Sequence, residues 1–145
     1  MEILYKIDAR DRLNDVPRDE AVTIRWLDPA RDLDAFVQHL RDRDPNYALS
    51  HETWKGWADS GIDYCGLFKG GIIVARAAVE RYSAEAWETA DVRVISAERG
   101  KGYAKQVCHF VTAFILDSGK RATCRTEEDN KAMRHIIHAL GFEEM

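Results

Sequence analysis

One stretch of the chain decides how it folds: Val92-Arg93-Val94-Ile95-Ser96-Ala97-Glu98-Arg99-Gly100-Lys101-Gly102-Tyr103-Ala104. Its beginning alternates as a strand does, and the segment that it opens, Tyr103 to Ser118, carries apolar residues at helical spacing. Glycines in the turn between them let backbone amides approach a ligand closely, and the first turn of a helix leaves N–H groups unpaired at the positive end of its dipole. The stretch therefore predicts a strand, a turn and a helix that together bind a phosphate group.

The segments around this unit alternate between strand-like and helix-like patterns. Strands are predicted at Met1–Ile7, Ala21–Leu27, Tyr64–Phe68, Ile72–Tyr82, Trp87–Ile95 and Arg121–Thr126, and helices begin at Asp28, Ser50, Tyr103 and Asn130. A crossover through the Tyr103 helix makes its two flanking strands parallel. The order predicts an α+β fold with a single mixed sheet flanked by about four helices.

Length and composition agree with one globular domain. The 145 residues are 46% hydrophobic and 32% charged, with no apolar run near the roughly 20 residues that cross a bilayer. We expect residues 1–145 to form one domain, in which 8–20 is a charged linker between a strand at 1–7 and a body at 21–145. The start of the sequence lacks the features of a secretory signal, so we expect a cytoplasmic protein.

Charge and cysteine content exclude several classes of function. The net charge of −4 comes from acidic and basic residues mixed along the chain, which is unlike the basic patches of proteins that bind nucleic acid or anionic membranes. Cys65, Cys108 and Cys124 lie far apart without a Cys-x-x-Cys pair. We therefore expect reduced thiols, no disulfide and no metal site.

The turn and its surroundings resemble motifs of a known family. Arg99-Gly100-Lys101-Gly102-Tyr103-Ala104 is similar to the Arg/Gln-x-x-Gly-x-Gly/Ala motif of the GNAT acetyltransferases. Val92-x-Val94 resembles that family's splayed strand, and Asn130 with Leu140-Gly141-Phe142 resembles its Asn-x10-Gly-Phe helix. A Gly-x-Gly alone also occurs in tight turns without a ligand. Two matches in the right order and spacing favour the family.

The resemblance implies acetyl-CoA as co-substrate and a set of residues that bind it. Amides of the turn would hold the pyrophosphate, and the backbone of the splayed strand would bind the pantetheine arm. Asn130 also suits an N-cap, so both interpretations of it stay open. The predicted cofactor-binding residues are Val92, Val94, Arg99, Gly100, Lys101, Gly102, Tyr103, Ala104 and Asn130.

The implied reaction is acetyl transfer to a primary amine of a small molecule or a protein. Glu88, eleven residues before Arg99, resembles the catalytic Glu of the histone-acetylating branch and is the predicted base, with Asp91 and Glu98 as weaker alternatives. If the strand has no bulge, Glu88 shares a face with Val92 and Val94.

One departure from the family pattern bears on activity. Ile137 stands where many members have a Tyr that protonates the departing thiolate, which leaves Tyr103 as a possible acid. His135 and His138 lie nearby and are expected at the surface. The alternative function is a catalytically degenerate module that binds CoA or acyl-CoA, or a partner subunit.

The acceptor is not readable from the sequence. Ser50, His51, Trp54 and Trp57 lie in the region that faces the acceptor in this family, although the two Trp side chains could simply pack a short helix.

The family usually continues with two further strands after its Gly-Phe, whereas here Glu143-Glu144-Met145 follows. We therefore expect shortened or missing C-terminal strands and a sheet edge that needs cover. Met1–Ile7 could supply it, within one chain or exchanged in a homodimer, because the linker can span roughly 40 Å. The alternative is that Met1–Ile7 pairs only beside Ala21–Leu27.

Overall fold

The computed structural model describes residues 1–145 as seven strands and four helices around one sheet. The strands are β1 (Glu2–Ile7), β2 (Thr23–Trp26), β3 (Ile62–Lys69), β4 (Ile72–Glu80), β5 (Ala86–Val94), β6 (Arg121–Glu127) and β7 (Glu143–Glu144). The helices are α1 (Leu33–Leu40), α2 (His51–Asp59), α3 (Tyr103–Asp117) and α4 (Lys131–Leu140).

The sheet is mixed, with the strand order β2-β3-β4-β5-β6-β1-β7. Only β5 and β6 pair in parallel, because α3 crosses over between them. The larger core lies between the sheet and helices α3 and α4, and a smaller cluster of Leu27, Phe36, Trp54 and Ile73 lies under α1 and α2. The predicted single mixed sheet with about four helices is confirmed.

Strands β5 and β6 separate halfway along their length. They pair only from Ala86–Arg121 to Glu88–Thr123, although β5 continues to Val94 and β6 to Glu127. Beyond Glu88 the edge of β5 that faces β6 has no strand partner. The predicted splayed strand is therefore present, and it opens a gap beside the turn that leads into α3.

A bulge interrupts β5 inside this gap. Ala78 pairs with Ala90 and Arg76 with Arg93, so Asp91 and Val92 together oppose Ala77, and Asp91 has a φ of +48°. The extra residue reverses which face the side chains after it point to. Glu88 and Val94 therefore lie on opposite faces, and their expected common face is wrong.

The N-terminal strand covers the edge that β6 would otherwise expose. β1 pairs antiparallel with β6 along its whole length, from Glu2–Glu127 to Ile7–Ala122, and the two-residue β7 pairs with β1. The expected replacement role is confirmed, and pairing beside β2 is not observed. Because this pairing lies within one chain, it does not require an exchange between two chains.

The segment 8–20, expected to be a linker, is docked against the body. It forms a single 3₁₀ turn at Arg10–Arg12, buries Leu13, and donates hydrogen bonds from the Asn14 backbone and side-chain N–H groups to the end of α4. A Cβ at Gly141, whose φ is +102°, would collide with the Arg12 carbonyl oxygen. This glycine is therefore required by a close approach of the segment as well as by its turn.

Helix α1 begins later than its proline signal predicts. Asp28 and Pro29 form a turn in which the Asp28 carboxylate accepts the Ala30 N–H at 2.8 Å. Asp32, 5% exposed, accepts two hydrogen bonds from the Arg25 guanidinium and one from the Asp28 N–H. This buried ion pair holds the turn, so helical geometry starts only at Leu33.

Candidate active site

The turn between β5 and α3 presents a row of free backbone donors. Gly100 and Gly102 have φ values of +79° and +83°, and Gly102 is the N-cap of α3 without a side-chain cap. No backbone N–H from Arg99 to Lys105 donates to a protein acceptor, and the first turn of α3 has no acidic residue. Free amides at a positive helix end are the arrangement that binds phosphate.

These amides border a cavity of about 870 Å³ in the gap between β5 and α4. Eight of the nine predicted cofactor-binding residues line it: Val92, Val94, Arg99, Gly100, Gly102, Tyr103, Ala104 and Asn130. The ninth, Lys101, does not line the cavity, and its Nζ donates to the carboxylate of Glu98 at 2.6 Å. The Asn130 side chain also accepts the Met133 N–H at 3.1 Å, so Asn130 caps α4 and lines the cavity at once.

Helix α4 supplies a wall that the sequence analysis missed. Ala132, Met133, His135 and Ile136 line the cavity, and Arg93, Glu98 and Lys105 complete it. Asn130, Met133 and Ile136 recur at a spacing of three, and this was the available signal for a helix face turned to a ligand. His135, expected at the surface, is exposed and also faces this cavity.

The position that lacks the family's Tyr does not face the cavity. Ile137 is 1% exposed and belongs to the core with Leu140 and Cys124. Tyr103, the possible acid, does line the cavity, but it is 4% exposed and packs into the same core. The Lys69 ammonium lies 5.7 Å from the centre of the Tyr103 ring.

Glu88 lies at the vertex where β5 and β6 part. It is 8% exposed, and Arg125 on β6 donates from Nε to its carboxylate at 2.9 Å. Burial raises the pKa of Glu88 above its usual value, although Arg125 opposes this shift. Glu88 does not line the large cavity. Of the alternative bases, Glu98 is bound by Lys69 and Lys101, which hold its pKa below the usual value.

A second polar group, unforeseen in the sequence, lies at the bulge. The Arg76 guanidinium donates from Nη2 and Nε to the Asp91 carboxylate, at 3.0 and 3.3 Å, and the Tyr64 hydroxyl donates to it at 2.6 Å. Burial raises the pKa of Asp91, but these partners outweigh it, so the pKa lies below its usual value. Arg76 stands alone between apolar residues of a buried strand, and that isolated charge was the available signal.

His39 on α1 continues the group. Its Nδ1 lies 3.0 Å from the Ile73 carbonyl oxygen and donates to it, so Nε2 accepts from Arg76 Nη1 at 3.1 Å. Burial, together with the Arg76 charge, lowers the pKa of His39 to about 4. The imidazole is therefore neutral and fixed in one tautomer.

A smaller cavity of about 370 Å³ lies beside this polar group. Its aromatic lining comes from four side chains, Phe36, Tyr47, Trp57 and Tyr64. Asp91 lines this cavity and the next residue, Val92, lines the large one, so the bulge borders both cavities.

Of the residues expected near the acceptor, some pack in the core or cap a helix and one lines the smaller cavity. Trp54 is 2% exposed and stacks on Phe36 at 4.5 Å between ring centroids, whereas Trp57 lines the smaller cavity. Ser50 is the N-cap of α2, with Oγ accepting the Thr53 N–H at 3.1 Å, and His51 is exposed.

The model of the acetyltransferase (GNAT) family matches residues 21–142. The chain belongs to this family. The match spans every element from β2 to α4, including the strand–turn–helix unit and the wall from α4. No protein with a curated description is similar enough in sequence to count as a relative.

Solved GNAT structures share the fold at low sequence identity. A GCN5-related N-acetyltransferase from Sphaerobacter thermophilus superposes with a TM-score of 0.75 at 15% identity, over 99% of this chain and 48% of that one. A GNAT-family acetyltransferase from Colwellia psychrerythraea has a TM-score of 0.71 at 20% identity, over 99% of this chain and 52% of that one.

A third structure holds a ligand. AAC(6')-Iy in complex with the bisubstrate analogue CoA-S-monomethyl-acetylneamine has a TM-score of 0.68 at 18% identity, over 85% of this chain and 91% of that one. The chain spans only 47% to 59% of the first five solved structures that it matches.

No helix is long and apolar enough to cross a membrane, and no three His, Cys, Asp or Glu side chains are grouped to hold a metal ion. The three cysteines are buried and unpaired, and burial raises the pKa of Cys65 and Cys124 to about 12. These thiols are therefore poor nucleophiles.

Proposed function

We propose that this protein transfers an acetyl group from acetyl-CoA to a primary amine. The observation that carries the proposal is the row of free amides from Arg99 to Lys105 on the wall of an 870 Å³ cavity. Two phosphates bring the charge that such a row stabilises, and a glycine-rich turn admits them close to the backbone.

The residues around the cavity suit the rest of CoA. Arg99 and Lys105 add positive charge beside the amides, and Met133 and Ile136 offer apolar surface to a pantetheine arm. Beyond Glu88 the edge of β5 that faces β6 has no strand partner, and its only side-chain contact is a 3.5 Å hydrogen bond from Arg99 Nε to the Val94 carbonyl, so this edge can pair with the amides of that arm. Acetyl-CoA supplies the activated acetyl group, and the protein's part is to orient it and to move protons.

We propose Glu88 as the base that deprotonates the acceptor, acting through water because it does not line the cavity. Its raised pKa brings it closer to the pH at which a general base works best. Arg125 holds the carboxylate in place at the vertex of the gap.

The structure offers fewer candidates for an acid that protonates the departing thiolate than for the base. Tyr103 and His135 are the titratable groups on the cavity wall that could donate a proton, and Ile137 cannot. A thiolate with a pKa of about 8.5 also leaves with a proton from water alone.

The burial of Ile137 and the Glu88–Arg125 ion pair favour a second candidate, a module that binds acyl-CoA without turnover. Binding and turnover separate the two candidates. Affinity for acetyl-CoA with amine-dependent release of free thiol supports the enzyme, affinity without thiol release supports the module, and absence of both overturns each of them.

A matched pair of glycine variants tests the binding site. Gly102 and Gly119 lie at opposite ends of α3 with φ values of +83° and +79°, and neither has a neighbour that a Cβ would meet. Gly102→Val and Gly119→Val therefore carry the same backbone strain, about 1–2 kcal/mol. Calorimetric titration should show at least about a tenfold loss of acetyl-CoA affinity for Gly102→Val alone. Equal acetyl-CoA affinities in the two variants would show that the turn at Gly102 does not bind acetyl-CoA.

A second test concerns the base. The rate of a carboxylate base rises with pH through its pKa, so Glu88→Gln should abolish the acidic limb of the pH–rate profile and lower kcat by about 100-fold. Glu80→Gln is the control. Glu80 on β4 lies directly opposite Glu88 on β5, and its negative charge raises the pKa of Glu88. That variant should keep the limb and move it to lower pH. An unchanged limb in Glu88→Gln would exclude the role.

A further inference from the structure

The bulge brings Asp91 to the face where an acceptor would approach. In a regular strand Asp91 would point away from Glu88, but the extra residue in β5 turns it toward Arg76 and Tyr64, which share Glu88's face of the sheet. Asp91 then lines the smaller cavity while Val92 lines the larger one. A molecule in the smaller cavity would therefore lie next to the bulge that borders the cofactor cavity.

The Asp91 carboxylate is held in place but not saturated. Its Oδ2 accepts from Tyr64 and from Arg76 Nε, and its Oδ1 accepts only from Arg76 Nη2. A carboxylate offers about four acceptor sites, so one on Oδ1 remains for another donor. The side chain is 45% exposed, whereas that of its partner Arg76 is 7% exposed.

Arg76, the positive partner, also lines this cavity, but its side chain is only 7% exposed whereas that of Asp91 is 45% exposed. The Arg76 guanidinium donates hydrogen bonds to Asp91 and to His39. The neutral His39 ring in turn donates to the Ile73 carbonyl oxygen. The cavity consequently meets the carboxylate more than the guanidinium. Arg43 and Asp44 also line the cavity, and both are exposed, so their opposite charges balance at its rim.

The other walls are aromatic. Tyr64 lies 5.0 Å from Phe36 and 6.2 Å from Trp57, measured between ring centroids. Aromatic faces attract a cation and bury the carbons attached to it. A carboxylate with a free acceptor site among aromatic rings thus matches an ammonium group on an apolar carbon chain. The volume, about 370 Å³, lies at the lower end of the range for small-molecule sites.

We propose that Asp91 binds the ammonium group of the acceptor and that the acceptor is a small alkyl or arylalkyl amine, whose carbons pack against Trp57 and Tyr64. The inference rests on the proposed acetyl transfer and specifies its substrate. Arg76 and His39 act as positioning residues that fix the carboxylate at the bulge.

Thiol-release kinetics with n-butylamine, benzylamine and a hexapeptide containing one lysine test the proposal. Asp91→Asn should raise KM for the two small amines at least about tenfold, because a charged hydrogen bond is lost. Asn tolerates the positive φ and can still accept from Arg76. Trp57→Leu, which leaves the ion pair intact, should raise KM about threefold or more. Asp63→Asn is the control, since Asp63 pairs with Arg81 at 2.7 Å and lines neither cavity.

Each outcome decides a separate point. Unchanged KM in both Asp91→Asn and Trp57→Leu would overturn the proposal, and so would turnover of the peptide in preference to both small amines. If the wild type binds acetyl-CoA but acetylates none of the three, titration of the CoA-loaded protein with n-butylammonium, which keeps the N–H donors, replaces kinetics, and equal affinity in wild type and Asp91→Asn would overturn the proposal. Failure of the wild type to bind acetyl-CoA at all would instead overturn the acetyltransferase function.

Discussion

The two halves of the molecule are organised by different kinds of interaction. The cofactor half, from β5 through α3 to α4, is built from neighbours in sequence: a strand, a glycine turn and a helix end that offers free amides. The acceptor half, from α1 to β4, is organised by a polar chain that runs from the buried His39 and Arg76 to the half-exposed Asp91 at the bulge of β5, where the two halves meet. A phosphate site can therefore be read from one short motif, whereas an acceptor site depends on contacts between distant residues.

The largest expected effect comes from removing the charge at the centre of the acceptor half. Arg76→Met leaves the buried His39 Nε2 without its donor and the half-exposed Asp91 carboxylate with Tyr64 as its remaining donor. We expect a loss of about 3 kcal/mol in the free energy of unfolding, measured in urea. Lys55→Met is the control, because the exposed Lys55–Asp59 pair contributes less than about 1 kcal/mol. Equal losses would mean that the chain does not organise this half.

His39 makes the stability of the acceptor half depend on pH. Its pKa is about 4 in the folded protein against 6.5 for the free side chain, so between these values only the unfolded chain binds the proton. Stability is full above pH 6.5 and falls by up to about 3 kcal/mol as pH drops toward 4.

Urea unfolding at pH 7 and pH 5 of wild type and His39→Gln measures this contribution. The variant should lose less stability between the two pH values than the wild type does. Burial also lowers the pKa of His109, with the same sign, and that contribution is common to both proteins. His135→Gln, on an exposed side chain, is the control and should keep the wild-type slope. A wild-type slope in His39→Gln would contradict the buried neutral imidazole.

The smallest expected effect separates the two interpretations of Asn130. Asn130 and Ser50 are both N-caps that accept a backbone N–H at 3.1 Å, but only Asn130 lines the cofactor cavity. Asn130→Ala and Ser50→Ala should each cost about 1 kcal/mol of stability. Only Asn130→Ala should also weaken acetyl-CoA binding. Unchanged affinity in both variants would leave Asn130 as a cap alone.

The contrast between the halves also explains what the sequence could predict. Three features are set by residues within a few positions of each other, and all three were predicted. They are the turn at Gly100 and Gly102, the N-cap of α2 at Ser50 and the end of α4 at Gly141. The pairing of β1 with β6 joins residues more than a hundred positions apart. It was one of two alternatives that the sequence left open for Met1–Ile7, the other being pairing beside Ala21–Leu27.

Features that depend on strand register could not be predicted from the sequence. The bulge at Asp91 adds one residue to β5, and no local signal announces it. It overturned the common face of Glu88 and Val94 and created the contact between Asp91 and Arg76. The helix α4 was predicted correctly as an element, but its apolar stripe divides between the core, at Ile137, and the cavity, at Ile136. Periodicity alone does not make that division.

Amide NMR of ¹⁵N-labelled protein titrated with CoA shows whether the amides from Arg99 to Lys105 bind the pyrophosphate. The amide resonances of Gly100 to Lys105 should show the largest shifts, because these N–H groups have no protein acceptor to exchange for the ligand. Those of residues around the smaller cavity, such as Trp57 and Tyr64, should change little. Saturable binding that moves other amides and leaves Gly100 to Lys105 in place would contradict the account.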